Sequence, residues 1–215
     1  MTGDTTGDVR YADVLASLRA AYEGGAAERD RTAKAPWKLA ERERFLERLR
    51  AEGCARLLEI GAGTGQDSVY FRDSGLDVVA TDLSPAMVDR CREKGLDARV
   101  VDFLHLDFAP GSFDAAYAFN CLLHVPNADL PAVLRAVHGV LCLGGLFFVG
   151  VYGGEPREGP AANDHHVPPR FFASRTDEQL QRYAGESFDV VDFHVVEPGG
   201  LHFQSLTLRR PMSRV

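Results

Sequence analysis

The chain has 215 residues, 45% of them hydrophobic, and a formal net charge of −7 from 31 acidic and 24 basic residues. This length suits one domain, or one domain with a small cap, and the apolar content is enough for a substantial core. Because an acidic chain without a clustered Lys/Arg tract is repelled by phosphate backbones and anionic lipid, we expect neither a nucleic-acid partner nor a membrane partner.

The first eight residues, MTGDTTGD, are polar, and we expect them to be disordered. They lack the basic and apolar regions of a signal peptide, so a cytoplasmic location is expected. An amphipathic helix is predicted next by five residues at helical spacing: Tyr11, Val14, Leu15, Leu18 and Tyr22. The stretch EGGAAERDRTAKAP is then predicted to be a flexible connection. Residues 1–36 are thus expected to be a disordered start and a cap helix, and residues 37–215 the main domain.

The main domain begins with a predicted helix whose apolar face is Leu39, Phe45, Leu46 and Leu49, and Gly53 ends it. Predicted strands and helices then alternate. The strands are largely apolar runs, as in a parallel sheet, and cover residues 55–60, 77–82, 97–103, 113–120 and 146–152. The helices between them cover residues 66–74, 84–95 and 130–141. The second of these helices has clear ends, because Ser84-Pro85 is a favourable start and Gly95 a favourable stop.

The pattern changes after residue 152. Residues 153–172 contain four prolines and are predicted to be irregular, and long loops in compact domains often act as lids over a site. Thr176 and Gln179 have the spacing of a capping box and predict a short helix. Residues 187–196 and 202–210 are predicted strands joined by EPGG. Alternating strands and helices followed by such a hairpin predict a doubly wound α/β sheet with an antiparallel last strand.

The stretch LLEIGAGTGQDS, residues 57–68, places three glycines directly after the first predicted strand. Ligands of open α/β sheets bind outside the carboxyl ends of the strands, where this loop lies. Its spacing is G-x-G-x-G, whereas a dinucleotide-binding loop has G-x-G-x-x-G and faces a diphosphate. The carboxylate of Glu59 would repel a diphosphate but attract a ligand with an ammonium and a sulfonium group. The loop therefore favours a nucleoside without phosphates, which a glycine backbone lets approach closely.

Two further acids follow the next predicted strands. Asp82 ends the second strand, where its carboxylate can accept hydrogen bonds from both hydroxyls of a ribose. Asp102 ends the third predicted strand, where it can accept from an adenine amino group while Phe103 packs nearby. A lone aspartate at a strand end can also be a turn or helix cap. Three acids beside one glycine loop together favour a nucleoside site.

In these motifs the chain resembles the class I S-adenosylmethionine-dependent methyltransferases. The resemblance runs from about Trp37 to the C-terminus, and its parts stand in family order: LLEIGAGTGQDS, VVATDLSPAMV, DARVVDF, FDAAYAFNCLLHVP and LGGLFFVGVYGG. It implies a Rossmann-like sheet of seven strands in the order 3-2-1-4-5-7-6, with strand 7 antiparallel. It also implies S-adenosylmethionine as cofactor and S-adenosylhomocysteine as product. The resemblance is greatest to small bacterial members that act on small molecules.

The resemblance also implies cofactor contacts. Glu59 and the glycine loop would hold the methionine part, Asp82 the ribose, and Asp102 with Phe103 the adenine. The full set of expected cofactor residues is Glu59, Gly61, Ala62, Gly63, Gly65, Asp82, Leu83, Ser84, Met87, Asp102, Phe103, Asn120 and Cys121.

Methyl transfer from a sulfonium is an in-line displacement, and a general base is needed only if the nucleophile arrives protonated. His124, just after the fourth predicted strand, is the candidate base or substrate contact; the alternative is a packed histidine that shapes the pocket. The expected acceptor pocket takes residues from the cap, the fifth strand and the irregular segment: Tyr22, Trp37, Tyr152, His165, His166 and Arg170. The two lid histidines are alternatively a solvated loop pair, and each aromatic residue alone is alternatively packing.

No metal is expected, because the histidines and the four cysteines, at positions 54, 91, 121 and 142, fit no regular ligand pattern. The stretch NCLL at residues 120–123 lacks the Pro-Pro-aromatic element of methyltransferases that modify nucleobase amines. We therefore favour a small-molecule methyltransferase. The alternatives are a non-catalytic S-adenosylmethionine-binding protein and, third, a nicotinamide-dependent oxidoreductase. The acceptor, the atom methylated and the oligomeric state stay open.

Overall fold

The computed structural model of the protein describes residues 9–161 and 164–212. The start predicted to be disordered, residues 1–8, lies outside the described residues. The helices are α1 (Tyr11–Glu23), α2 (Ala26–Arg31), α3 (Pro36–Ala51), α4 (Gln66–Asp73), α5 (Pro85–Glu93), α6 (Leu130–Val140) and α7 (Asp177–Gly185). The strands are β1 (Arg56–Ile60), β2 (Asp77–Asp82), β3 (Asp97–Val100), β4 (Phe113–Phe119), β5 (Leu141–Tyr152), β6 (Arg157–Pro160), β7 (Phe171–Ser174), β8 (Asp189–Val196) and β9 (Phe203–Arg209). Within the described ranges, no helix has the length and apolar character needed to cross a bilayer.

Seven strands form one sheet in the order β3-β2-β1-β4-β5-β9-β8. Strands β1 to β5 pair in parallel, while β9 pairs antiparallel with both β5 and β8. This arrangement confirms the predicted doubly wound sheet. The antiparallel strand that the prediction numbered 7 is β9. The chain order reverses between β1 and β4, so the carboxyl ends of these strands border the crevice in which such folds bind ligands.

The central strands are apolar on both sides because helices cover both faces of the sheet. On one face, Leu57 of β1 packs with Phe45 of α3. On the other face, Leu58 belongs to a core cluster with Leu18 of α1 and Val133 of α6. Helix α1 is therefore anchored by the same apolar core that holds the sheet, and it lies close to the ligand crevice.

Helix α2 lies inside the stretch that was predicted to be a flexible connection. Its sequence, AAERDR, consists mostly of residues with good helix propensity, and the buried Ala26 anchors it while α2 packs on α5. Six residues are too few for a periodic apolar face, so hydrophobic spacing could not reveal this helix.

The predicted irregular segment contains a small hairpin, in which β6 pairs antiparallel with β7. Two of the main strands also differ in length from the prediction. Strand β5 begins at Leu141 and not at residue 146. Strand β3 ends at Val100, so Asp102 and Phe103 lie in the turn after the strand, where the prediction had them in the strand itself.

Candidate functional site

The glycine loop connects β1 to α4, and φ is positive at Gly61 (+66°), Gly63 (+56°) and Gly65 (+78°). A β-carbon at Gly61 would lie 2.5 Å from Cβ of Cys121, and one at Gly65 would lie 2.8 Å from Sγ of Cys91. Both contacts are shorter than a β-carbon normally makes, so the neighbouring atoms would have to shift. A β-carbon at Gly63 would meet no atom closer than 3.5 Å, where Nε of Arg29 lies. Gly61 and Gly65 therefore lie against closely packed neighbours, whereas Gly63 has room for an ordinary contact.

The carboxylate of Asp82, at the end of β2, holds the glycine loop. Its Oδ2 accepts a hydrogen bond from the Gly63 amide at 2.8 Å, and its Oδ1 accepts one from the Ser84 amide at 2.9 Å. Burial raises the pKa of Asp82, while these hydrogen bonds oppose the shift. Because a carboxylate can accept about four hydrogen bonds, lone pairs remain for a ligand.

A cavity lies beside Asp82. Expected cofactor residues line much of it: Gly61, Gly63, Asp82, Leu83, Met87, Phe103, Asn120 and Cys121. The remaining lining residues were not predicted as cofactor contacts: Tyr11, Leu18, Tyr22, Arg29, Phe119 and His124. Tyr11 stacks on Phe103 with ring centroids 5.7 Å apart. Helices α1 and α2 therefore form one wall of this cavity.

A second cavity, of about 270 Å³, adjoins the first, and both are lined by Arg29, Gly61, Gly63, Phe119 and Asn120. The expected cofactor residues Glu59 and Ala62 line only this second cavity. Gly65, Ser84 and Asp102 line neither. The two cavities together form one crevice at the carboxyl ends of β1, β2 and β4.

Glu59 is a buried acid at the second cavity, with an exposed fraction of 3%. Burial, reinforced by the nearby Asp67 carboxylate, raises the pKa of Glu59 to about 8. The hydroxyl of Ser68 donates a hydrogen bond to the Glu59 carboxylate. Asp67 itself forms ion pairs with Lys34 and Arg42. Glu59 is therefore largely protonated at neutral pH unless a cation lies beside it.

The carboxylate of Asp102 already has hydrogen-bond partners within the turn after β3. Its Oδ1 accepts a hydrogen bond from the Leu104 amide at 2.8 Å, and its Oδ2 lies 2.8 Å from Nδ1 of His105. Ser84 acts mainly as the cap of α5, because its hydroxyl accepts from the Met87 amide at 3.4 Å. These two residues shape the crevice edge, and their direct contact with a cofactor stays a prediction.

Asn120 follows β4 and has the unusual backbone angle φ of +59°. Its Oδ1 atom is buried and has no hydrogen-bond partner. A non-glycine residue in this conformation and an unpaired buried acceptor both cost free energy, and such features cluster at ligand sites. A ligand donor in either cavity would satisfy this oxygen.

His124 lies in a short 3₁₀ turn after β4 and is 5% exposed. Its Nδ1 lies 2.7 Å from the carbonyl oxygen of Phe171, so Nδ1 carries the proton of the neutral ring. Its Nε2 then accepts from the Tyr22 hydroxyl at 2.6 Å, and Arg170 donates to the same hydroxyl at 3.1 Å. Burial lowers the pKa of His124 to about 4. The ring is thus neutral and held in one tautomer.

Asp164, in the segment predicted to be irregular, contacts this group through Arg170. The Arg170 side chain donates to both carboxylate oxygens of Asp164, at 2.9 and 3.0 Å, and holds the pKa of Asp164 well below its usual range. The His166 ring lies 5.8 Å from the Tyr22 ring, whereas His165 is exposed. Of the predicted acceptor residues, Tyr22, His166 and Arg170 therefore meet near His124. Within the described parts of the chain, no group of three His, Cys, Asp or Glu residues is arranged to hold a metal ion.

Trp37 and Tyr152 meet at a separate place, in a cluster that we call the aromatic wall: Trp37, Phe119, Tyr152 and Phe203. The Trp37 ring centroid lies 4.7 Å from that of Phe203, and the Phe119 and Tyr152 centroids lie 5.1 and 5.2 Å from that of Phe203. The ammonium of Lys38 lies within 6.0 Å of the centroids of the other three rings. Phe119 and Lys38 border the second cavity.

Arg29, Lys38 and Phe119 are among the site residues that sequence reasoning missed. Arg29 belongs to the undetected helix α2. Phe119 was counted as part of a buried strand, and Lys38 as part of a solvated helix face. Only the neighbouring Trp37 was a local signal, because a tryptophan at the start of an amphipathic helix is an uncommon surface residue.

Comparison with known sequences identifies a family match. The family described as "Methyltransferase domain" matches residues 58–149. Methyltransferase GfsG of Streptomyces halstedii is 32% identical over 112 residues, which cover 48% of this chain and 40% of that protein. The ubiquinone biosynthesis O-methyltransferase of Xanthomonas campestris is 38% identical over 102 residues, which cover 44% of this chain and 42% of that protein. The aligned region thus spans less than half the length of either relative.

Solved structures share the whole fold. The Burkholderia thailandensis 1,6-didemethyltoxoflavin-N1-methyltransferase, bound to 1,6-didemethyltoxoflavin and S-adenosylhomocysteine, superposes with a TM-score of 0.73. The match covers 96% of this chain and 92% of that chain at 24% identity. The Synechocystis magnesium protoporphyrin IX methyltransferase, with bound S-adenosylhomocysteine, has a TM-score of 0.70 at 14% identity, covering 92% of this chain and 100% of that chain. At these identities the likeness establishes the fold alone.

Proposed function

We propose that this protein transfers a methyl group from S-adenosylmethionine to a small-molecule acceptor and releases S-adenosylhomocysteine; the match of residues 58–149 to the family described as "Methyltransferase domain" supports this proposal. In this proposal residues 37–215 are the methyltransferase domain and the helices before it are its cap. We also propose that the protein works in the cytoplasm, where its four free cysteines stay reduced, and without a nucleic-acid partner.

The observation that carries this proposal is the carboxylate of Asp82, hydrogen-bonded to the Gly63 backbone amide at the edge of the first cavity. A carboxylate with free lone pairs suits the two hydroxyls of a ribose. Glu59, on the other side of the same loop, can ionise beside an ammonium group and therefore suits that group. The unpaired Oδ1 of Asn120 also fits a ligand with hydrogen-bond donors.

The proposed contacts follow the shape of the crevice. Glu59 would accept from the ammonium of the methionine part, and Asp82 would accept from the ribose. The adenine would lie in the first cavity, where Phe103 and Met87 offer apolar surfaces. The methyl-bearing end would then lie near Asn120, at the junction of the two cavities.

The cofactor supplies a methyl group already activated by its sulfonium charge, so the protein acts chiefly by alignment. Holding the two reactants in an in-line geometry can account for about 7–11 kcal/mol of a reaction barrier. Tyr22 and His124 line the cavity that would hold the adenosine part, and we propose that they act as a pair. His124 holds the Tyr22 hydroxyl in place, and that hydroxyl contacts the bound ligands.

The Tyr22–His124 pair is expected to be energetically coupled. In a double-mutant cycle with Tyr22→Phe and His124→Ala, we expect the two losses in free energy of unfolding to overlap by about 1–2 kcal/mol, because either change alone breaks their hydrogen bond. Denaturant unfolding of the four proteins measures this coupling. If His124 instead acts as a separate general base, His124→Ala lowers turnover at unchanged cofactor affinity, while Tyr22→Phe does not.

The pH dependence of cofactor affinity is a second expected result. Because Glu59 has a pKa of about 8 when no cation lies beside it, binding of an ammonium group must displace its proton. Affinity for S-adenosylhomocysteine should therefore rise with pH, by up to about tenfold per pH unit between about pH 6 and pH 7.5. Calorimetric titration across this range measures the slope.

Glu59→Gln is the matched control, since glutamine keeps the shape but cannot ionise. This variant should bind S-adenosylhomocysteine more weakly at pH 7.5 and show a nearly flat pH profile. An equally steep profile in the variant would mean that another group titrates, and would remove Glu59 from the ammonium site.

The proposed function is tested by incubating the purified protein with S-adenosylmethionine and a panel of small acceptors and measuring S-adenosylhomocysteine by mass spectrometry. We expect product with at least one acceptor, and calorimetric binding of S-adenosylmethionine but not of NAD. Binding without product from any acceptor would favour the non-catalytic alternative. Binding of NAD in place of S-adenosylmethionine would favour the oxidoreductase.

A further inference from the structure

Lys38, in the first turn of α3, is a half-buried cation whose ammonium makes no hydrogen bond or ion pair within the described residues. Its Nζ lies 5.3 Å from the ring centroid of Trp37, 5.8 Å from that of Tyr152 and 6.0 Å from that of Phe119. Burial, then the charges of Lys34 and Arg29, lower the pKa of Lys38. An ammonium in this environment is stabilised by ring faces but lacks the anion that would compensate its lost hydration.

The two neighbouring cations are placed differently from Lys38. The ammonium of Lys34 also lies near the aromatic wall, 5.6 Å from the Phe119 ring centroid, but it forms an ion pair with the buried carboxylate of Asp67. Arg29 lies against the glycine loop, where its Nε would be 3.5 Å from a β-carbon at Gly63. Arg29 is therefore on the side of the proposed cofactor, and Lys38 is on the side of the aromatic wall.

The aromatic wall offers flat apolar surface next to this cation. Phe203 is fully buried and supports the wall from behind, while Trp37, Phe119 and Tyr152 are only partly buried. Phe119 ends β4 directly before Asn120, the residue at the junction of the two cavities. A planar molecule lying against these rings would thus reach the place where the methyl group is expected.

We propose that Lys38 and the aromatic wall form the acceptor subsite, and that the acceptor is a flat, negatively charged small molecule whose anionic group pairs with the Lys38 ammonium. This inference rests on the proposed function and adds a substrate class to it. Ring stacking and cation pairing each select for one property, so an uncharged planar molecule or a flexible anion binds less well. The carboxylate of the cofactor is the other anion that Lys38 could meet, and the experiment separates the two.

The test uses trans-cinnamate and trans-cinnamamide, which have the same flat skeleton and differ in charge. Both are titrated calorimetrically into the full-length protein saturated with S-adenosylhomocysteine. We expect cinnamate to bind at least about tenfold more tightly than cinnamamide, as for a charge-assisted hydrogen bond. Lys38→Met should abolish this preference and leave the affinity for S-adenosylhomocysteine within about twofold of the original. Lys38→Arg keeps the charge and should retain the preference.

Three results would overturn the subsite. The first is equal affinity for the two probes, or no binding of cinnamate. The second is a preference for cinnamate that persists in Lys38→Met. The third is a large loss of S-adenosylhomocysteine affinity in Lys38→Met with unchanged thermal stability, which would assign Lys38 to the carboxylate of the cofactor. A failure of the proposed function is distinguishable, because the original protein would then bind no S-adenosylhomocysteine, or would form none from S-adenosylmethionine with any acceptor of the panel.

Discussion

Gly61→Ala is expected to abolish cofactor binding and to lower the free energy of unfolding by about 2–6 kcal/mol. Alanine at φ of +66° is strained, and its β-carbon would lie 2.5 Å from Cβ and 2.9 Å from Sγ of Cys121. The contact is between rigid atoms, because Cβ of Cys121 is fixed by the backbone after β4. Relief therefore requires the glycine loop to move away from β4, which also moves Gly63 away from Asp82. Denaturant unfolding and calorimetric titration with S-adenosylhomocysteine measure the two effects.

Gly53→Ala is the matched control for this substitution. Gly53 has nearly the same backbone angle, φ of +69°, but a β-carbon there would meet no atom within 4 Å. It should therefore cost only the conformational strain, about 1–2 kcal/mol, and leave cofactor affinity intact. Equal losses of stability in the two variants would show that backbone strain alone accounts for Gly61, and that packing against Cys121 is unimportant.

Asp82→Ala is expected to weaken S-adenosylhomocysteine binding by about 2–4 kcal/mol, roughly 30- to 1000-fold. The substitution removes the proposed ribose contact and also releases the Gly63 amide that the carboxylate now holds at 2.8 Å. Loss of a preorganised loop adds to the loss of a direct contact. The measurement is a calorimetric dissociation constant at one fixed pH, because the carboxylate itself titrates.

Asp77→Ala provides a control in the same strand. Asp77 begins β2, at the opposite end of the strand from Asp82, and forms an exposed ion pair with Arg56 at 3.2 Å. Such a pair contributes little, so this variant should bind S-adenosylhomocysteine like the original protein. Unchanged affinity in Asp82→Ala would remove the ribose assignment and, with it, the main support for a nucleoside in the first cavity.

The fold could be predicted from the sequence wherever short-range sequence signals mark the ends of an element. Helix α5 has a Ser84 cap and a first-turn proline, and the structure has it at Pro85–Glu93. The capping box of Thr176 and Gln179 likewise precedes α7 with both predicted hydrogen bonds. These signals act within one turn of the chain, so no knowledge of the tertiary structure is needed to interpret them.

Much of the site depends instead on contacts between distant parts of the chain. The hydrogen bond from Tyr22 to His124 joins residues 102 positions apart, and it changes His124 from an accessible base into an engaged, neutral ring. The glycine spacing indicated a ligand-binding loop. The contact that excludes a side chain at position 61 is with Cys121, which follows a different strand. Lys38 gave no signal because a lysine on a helix is ordinarily solvated, and only the folded aromatic wall makes it unusual.

Helices α1 and α2 form one wall of the first cavity, with Tyr11 stacked on Phe103 and Arg29 beside the glycine loop. If the adenosine end of the cofactor lies behind them and leaves on that side, this wall must open first. Release of S-adenosylhomocysteine, and not methyl transfer, would then limit the rate of each catalytic cycle. A long residence time of the by-product would make the protein sensitive to its cellular level, so the cap would link the rate of methylation to the supply of fresh donor.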